Sequence, residues 1–233
     1  MHIILIPGLW LDGSTWDRVV PALGAAGHRT TAMTLPGMQS ITADRSGITL
    51  ADHVAAVIDA IDAAEETVLL VAHSAGCGIA HAALDARPDR IAGAVYIGGF
   101  PSDDGDVLLE GLEAVDGEVA MPDWVEVGEE ANVADLDDAA LADLYAGAIP
   151  VPEGVLTTPV RLNDPRRHEV PLTMVCPEYR VADLEGWMAT GEGPGEPAAA
   201  ATFDYVDLPA GHWPQLTRPD DLARVILAAV PAG

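Results

Sequence analysis

The sequence contains no lysine. Eleven arginines stand against 37 aspartates and glutamates, for a formal net charge of −26 at pH 7. A chain of that charge repels nucleic acid and anionic membranes, so neither is expected as a partner. Cysteine is almost absent as well. Cys77 and Cys176 are too few for a disulfide framework, and no Cys/His cluster has zinc spacing. They read as two reduced core thiols, and no metal or cofactor is expected. No apolar run is long enough to cross a bilayer. The opening MHIILIPGLW lacks a basic segment and reads as a strand ended by Pro7-Gly8, not as a signal peptide, which implies a cytoplasmic protein.

With 49% apolar and 21% charged residues, the chain has the composition of a globular domain. Its length supports a single domain over 1–233. Segments 1–100 and 169–233 form the expected core. Residues 101–168 read as an acidic insertion, a lid over the top of the sheet. From Pro101 to Val160 this insertion is densely acidic and carries no Arg. A polyanionic substrate would find no counter-charge there.

Apolar runs alternate with helix-period segments. HIILI (2–6), RTTAMTL (29–35), TVLLVA (67–72), IAGAVYI (91–97), VPLTMVC (170–176) and FDYVDL (203–208) read as strands. Trp16, Val19, Val20 and Leu23 share one helical face, as do Leu50, His53, Val54, Val57, Ile58 and Ile61. Further helices are expected near 136–148 and 182–189. The stretch TGEGPGEPAAA reads as a loop. A last helix carries Leu222, Val225, Ile226 and Ala229, with Thr217 as its cap and Pro219 in its first turn. Strands so separated by helices build an α/β fold: about six strands, mostly parallel, with helices on both faces.

Between the third strand and its helix stands Ala72-His73-Ser74-Ala75-Gly76. With Ala72 in place of its first glycine, this fits the nucleophile elbow, a strained turn that lifts a serine hydroxyl above the N-terminus of the following helix. A serine hydroxyl needs a base. Among seven histidines, His212 in LPAGHWPQLT follows the last strand, whose carboxyl end would deliver it to the rim that carries Ser74. His28, His53 and His81 fall within or at the ends of helices, His2 opens a strand, and His168 reads as a surface residue. His73 adjoins the serine, but the turn is expected to direct neighbouring side chains apart. Two backbone donors suit an oxyanion hole: the N–H of Ala75, and that of Leu9 in the loop after the first strand. The first and third strands flank the switch-point crevice where open α/β sheets bind ligands.

The opening LIPGLWLDGSTWDRVVPALGAAGHRTTAMTLPG, the elbow, MPDW and PAGHWPQLTRPDDL together resemble the α/β-hydrolase fold, in the branch of plant methylesterases and hydroxynitrile lyases. The resemblance runs along nearly the whole chain. It implies a Ser-His-acid triad in which the acid lies just beyond the next-to-last strand, here the stretch Pro177 to Asp183. The usual aspartate position falls near Tyr179 or Arg180. Glu178 is the nearest carboxylate, Asp183 suits the start of a helix, and Asp103 after the fourth strand occupies a place where some relatives carry the acid. These three stay open. Where the family usually has His, this chain has Pro7. The lyases carry a lysine directly after the catalytic histidine; here that residue is Trp213, which argues against cyanohydrin cleavage.

The expectation is a carboxylic ester hydrolase acting on a small, largely neutral ester through Ser74, His212 and Glu178, with Leu9 and Ala75 as oxyanion donors. Trp10 and Trp213 are expected to shape the acyl pocket. The alternatives are a ligand-binding or regulatory protein that kept the scaffold, and a biosynthetic acyltransferase or cyclase on a secondary metabolite. A homodimer stays open.

Overall fold

A computed structural model describes residues 1–190 and 195–231. Eight strands and nine helices can be followed among the described residues. They run β1 (His2–Ile6), α1 (Val20–Ala25), β2 (Arg29–Ala32), α2 (Leu50–Ala63), β3 (Val68–His73), α3 (Gly76–Ala86) and β4 (Ile91–Ile97). Next come β5 (Glu118–Val119), α4 (Asp138–Gly147), β6 (Val151–Pro152), α5 (Glu153–Thr157), β7 (Leu172–Cys176), α6 (Val181–Thr190) and α7 (Gly195–Ala199). The chain closes with β8 (Phe203–Asp207), α8 (Pro214–Thr217) and α9 (Pro219–Ala228).

The main sheet has the order β2-β1-β3-β4-β7-β8, and every neighbouring pair is parallel. Alternation along the strands divides the core between two faces. Ile4, Ile6, Leu70 and Ala72 pack with Val57 and Ile61 of α2 and Ile79 and Ala83 of α3. Ile3, Leu5, Leu69 and Val71 pack with Trp16, Leu23 of α1 and Leu222 and Ile226 of α9. Both faces of the sheet's centre are therefore covered, which is why β1, β3 and β4 read as near-continuous apolar runs. Thr49 and Asp52 form a capping box at the start of α2. No described helix is long and apolar enough to cross a membrane.

Several boundaries differ from the sequence reading. The first helical segment splits into a 3-10 turn at Gly13–Trp16 and then α1. Pro21 has no N–H to continue a helix and stands in the first turn of α1. Strand β2 stops at Ala32, where its pairing with β1 ends opposite Leu5, and it lies at the sheet edge, paired with β1 alone. Thr217 does not cap α9: it ends α8, and its hydroxyl donates to the carbonyl of Trp213 at 3.4 Å. Of the loop expected across 190–200, residues 191–194 lie outside the described residues and Gly195–Ala199 is helical. The Asp103 carboxylate accepts the N–H groups of Gly195 (3.2 Å) and Glu196 (2.8 Å), a cap supplied from far along the chain.

Residues 101–168 run between β4 and β7 and include the antiparallel pair β5–β6. They touch the carboxyl ends of the sheet at defined points. The N–H of Ile149 donates to Trp10 at 2.8 Å, Trp10 Nε1 donates to Val119 at 3.1 Å, and the N–H of His212 donates to Asn132 at 2.8 Å.

Candidate active site

The carboxyl ends of β1, β3, β4, β7 and β8 converge on one rim. Ser74 follows β3 directly and has φ of 54°, a left-handed conformation that costs about 1–3 kcal/mol for a residue with a Cβ. Two features hold it there. Its N–H donates to the carbonyl of Ile97 at the end of β4, at 2.8 Å. Behind it, Gly76 lets the loop after β1 press close, since a Cβ on Gly76 would stand 2.3 Å from the Pro7 carbonyl oxygen. That loop is itself left-handed at Trp10, with φ of 63°. The N–H groups of Leu9 and Ala75 make no hydrogen bond to a protein acceptor among the described residues.

His212 lies in the loop after β8. Its Nε2 is 2.8 Å from Ser74 Oγ, and its Nδ1 is hydrogen-bonded to the Glu178 carboxylate. Glu178 follows β7 by two residues, and β7 and β8 are neighbours, so the carboxylate and the imidazole leave the sheet side by side. Asp103 is engaged with the amides that open α7. Asp183 accepts from the N–H of Arg180 at 2.9 Å, at the start of α6. Neither of these two makes a hydrogen bond to His212 among the described residues.

Above the serine lies a cavity of about 660 Å³. Its apolar walls come from Leu9, Trp10 and Phe100 and, from the insertion, Leu108, Leu112 and Trp124. Asp103, Asp106 and Glu129 add negative charge, and among the described residues no arginine lines it. Trp10 lines the cavity. Trp213 does not line the cavity: it is buried behind Trp124, ring centroids 5.8 Å apart. Trp124 takes that place, 5.7 Å from the Trp10 ring and 6.5 Å from the His212 ring. The sequence held the residue in MPDW but gave no local sign that it would turn inward.

His73 was also underestimated. Its ring does not diverge from the site but lies 4.9 Å from that of His212, and its Nε2 is 2.6 Å from the His212 main-chain oxygen. Burial drives its pKa down to about 3, helped by the nearby His212. His168, read as a surface residue, instead contacts the Glu196 carboxylate at 3.0 Å, as does buried His81. Cys77 and Cys176 are free and buried. Burial raises both thiols, Cys176 to about 11, which leaves them unreactive near neutrality.

Comparison with known proteins places this geometry in context. The model of the alpha/beta hydrolase family matches residues 3–225. An esterase of rice, PIR7B from Oryza sativa subsp. japonica, is 39% identical over 101 residues, 41% of this chain and 37% of that protein. A carbendazim hydrolyzing esterase from Nocardioides sp. (strain SG-4G) is 31% identical over 110 residues, 46% of each chain. The aligned region thus spans less than half the length of these curated relatives. Among solved structures, a pyrethroid hydrolase from Sphingobium faniae JZ-2 superposes with a TM-score of 0.76 at 23% identity, covering 98% of this chain and 96% of that one. An extracellular alpha/beta-hydrolase from a Paenibacillus species reaches 0.79 at 17% identity, covering 98% of each. Identities this low speak to the fold.

Proposed function

The chain belongs to the alpha/beta hydrolase family, and on that footing we propose that it is a serine esterase acting on small, largely neutral carboxylic esters. The observation that carries the reading is the unbroken hydrogen-bonded line from Glu178 through His212 to Ser74, opening into an apolar cavity. Relatives named as esterases support it.

In this reading His212 Nε2 takes the proton of Ser74 as Oγ attacks the ester carbonyl. The negative charge that develops on the carbonyl oxygen is met by the N–H groups of Leu9 and Ala75 and by the positive end of α3. Collapse expels the alcohol, which leaves with the proton held by His212. Water, deprotonated by the same imidazole, then attacks the acyl-serine and releases the acid. Glu178 keeps His212 in the tautomer that presents a free Nε2, and it stabilises the imidazolium. The acids in the lining disfavour anionic substrates and favour departure of the carboxylate product.

The test is direct. Wild-type protein hydrolyses p-nitrophenyl esters of short acids and is labelled by a fluorophosphonate. Ser74→Ala loses both while its circular dichroism stays that of the folded chain. Undiminished hydrolysis by Ser74→Ala would show that the serine is not the nucleophile.

A further inference from the structure

His73 ends β3 and has no exposed surface. The atom 2.6 Å from its Nε2 is a carbonyl oxygen, that of His212, 139 positions further on. A carbonyl can only accept, so Nε2 carries the ring proton and donates it. In that tautomer Nδ1 is an acceptor. It is buried with no hydrogen-bond partner among the described residues, and it faces Gly8, where a Cβ would lie 2.7 Å away. Protonating Nδ1 would bury an unpaired charge beside the His212 ring, which agrees with the depressed pKa.

The bond has a mechanical consequence. The N–H of His212 is already held by Asn132, and its carbonyl is held by His73. Both main-chain groups of the residue are therefore fixed, one by the insertion and the other by the strand that carries Ser74. His73 is covalently adjacent to the nucleophile. A donor at this point ties the backbone of the base to the backbone of the serine directly, by a path that does not pass through substrate or through Glu178.

We propose that His73 is a positioning residue: its Nε2–H grips the main-chain carbonyl of His212 and thereby sets the spacing between the imidazole and Ser74, while its uncharged ring leaves the imidazolium of His212 unopposed. The inference rests on the esterase reading for its kinetic consequence and on geometry alone for its tautomer. Misplacement of reacting groups by about 1 Å costs on the order of 100-fold in rate. The loss falls on the chemical step and not on binding, because His73 does not line the cavity.

The experiment uses the full chain. His73→Leu keeps an apolar side chain of similar size and removes the donor. It is expected to lower kcat, and the rate of fluorophosphonate labelling, on the order of 10- to 100-fold, with KM close to wild type. His73→Gln, whose amide can donate to the same carbonyl, is expected to recover most of the loss. Wild-type kcat in His73→Leu overturns the proposal, and so does equal impairment of the Leu and Gln variants in kcat. If the variants fail to fold, the wild-type protein still decides: 15N spectra of its histidines should show His73 as the neutral Nε2–H tautomer throughout the range from about pH 5 to 8. A His73 that titrates in that range, or carries its proton on Nδ1, overturns the proposal. Absence of labelling in the wild type would instead count against the esterase reading, leaving the tautomer measurement to judge His73.

Discussion

Glu178 reaches His212 because it leaves β7 after Pro177, beside the strand that precedes the histidine loop. The sequence offered three carboxylates and could not choose among them, since the choice depends on what else each one satisfies. Asp103 is engaged with α7 and Asp183 with Arg180, so each has local work that no motif displays. The expectation for Ser74 and His212 comes from their neighbours, an elbow between strand and helix and a loop after the last strand, and the two side chains meet at 2.8 Å. Trp124 and His73 carry no such local sign, because what brings them beside His212 is contact with a residue more than eighty positions away. If Glu178 orients the imidazole, Glu178→Gln lowers kcat on the order of 10³- to 10⁴-fold, as loss of a triad acid does. Asp183→Asn leaves kcat near wild type. Steady-state kinetics of the two variants decide the matter, and a Glu178→Gln enzyme with normal kcat would remove the residue from the mechanism.

The inner strands were the most readable elements, since burial on both faces writes a near-continuous apolar run into β1, β3 and β4, whereas the edge strands β2 and β8 stay partly exposed and carry polar residues. Helix α7 was the least readable. Its first amides are capped by Asp103, more than ninety positions earlier, and its Glu196 is the centre of a buried polar cluster. That carboxylate accepts from Arg167 Nε and Nη2, both at 2.8 Å, and from His81 and His168 at 3.0 Å each. Arg167 also pairs with Asp85 of α3, and His81 contacts Tyr96 of β4. The cluster therefore ties α3, β4, α7 and the turn before β7 together. Burial works to raise the Glu196 pKa, but the hydrogen bonds and charge of Arg167 and His81 outweigh it and hold it far below the usual carboxylate range. A group depressed in the folded state stabilises fully above its unfolded pKa, near 4.3 for glutamate, and that stability is lost as pH falls from there toward the folded value. Glu196→Gln should cost about 3 kcal/mol at pH 7. The gap between wild type and variant, measured by urea unfolding, should narrow as the pH is lowered below about 4. A gap of constant size down to acid unfolding would mean that the cluster contributes through packing and not through the carboxylate charge.

At the scale of the whole molecule the dominant fact is again the missing lysine. With a net charge of −26, far more carboxylates exist than cations to pair with them. Several pairs that do form, such as Arg87 with Asp62 and Arg166 with Asp89, are well exposed and worth little. What remains is mutual repulsion, concentrated in residues 101–160, where no basic side chain interrupts the acids. Such repulsion favours the expanded chain, and salt weakens it by shortening the screening length from about 10 Å at 0.1 M to about 3 Å at 1 M. Screening also weakens the exposed ion pairs, but these are outnumbered, so the net effect has a definite sign. Raising sodium chloride across that range at pH 7 should increase stability by about 1–2 kcal/mol, read as a rise in Tm of roughly 2–8 °C. Replacing the exposed Glu110, Glu113, Glu126 and Glu130 by Gln should raise Tm at low salt and flatten its salt dependence. A Tm that falls with salt in the wild type, or an unchanged slope in the fourfold variant, would mean that the acids of the insertion do not strain the fold and that their repulsion is already spent on solvent and counter-ions.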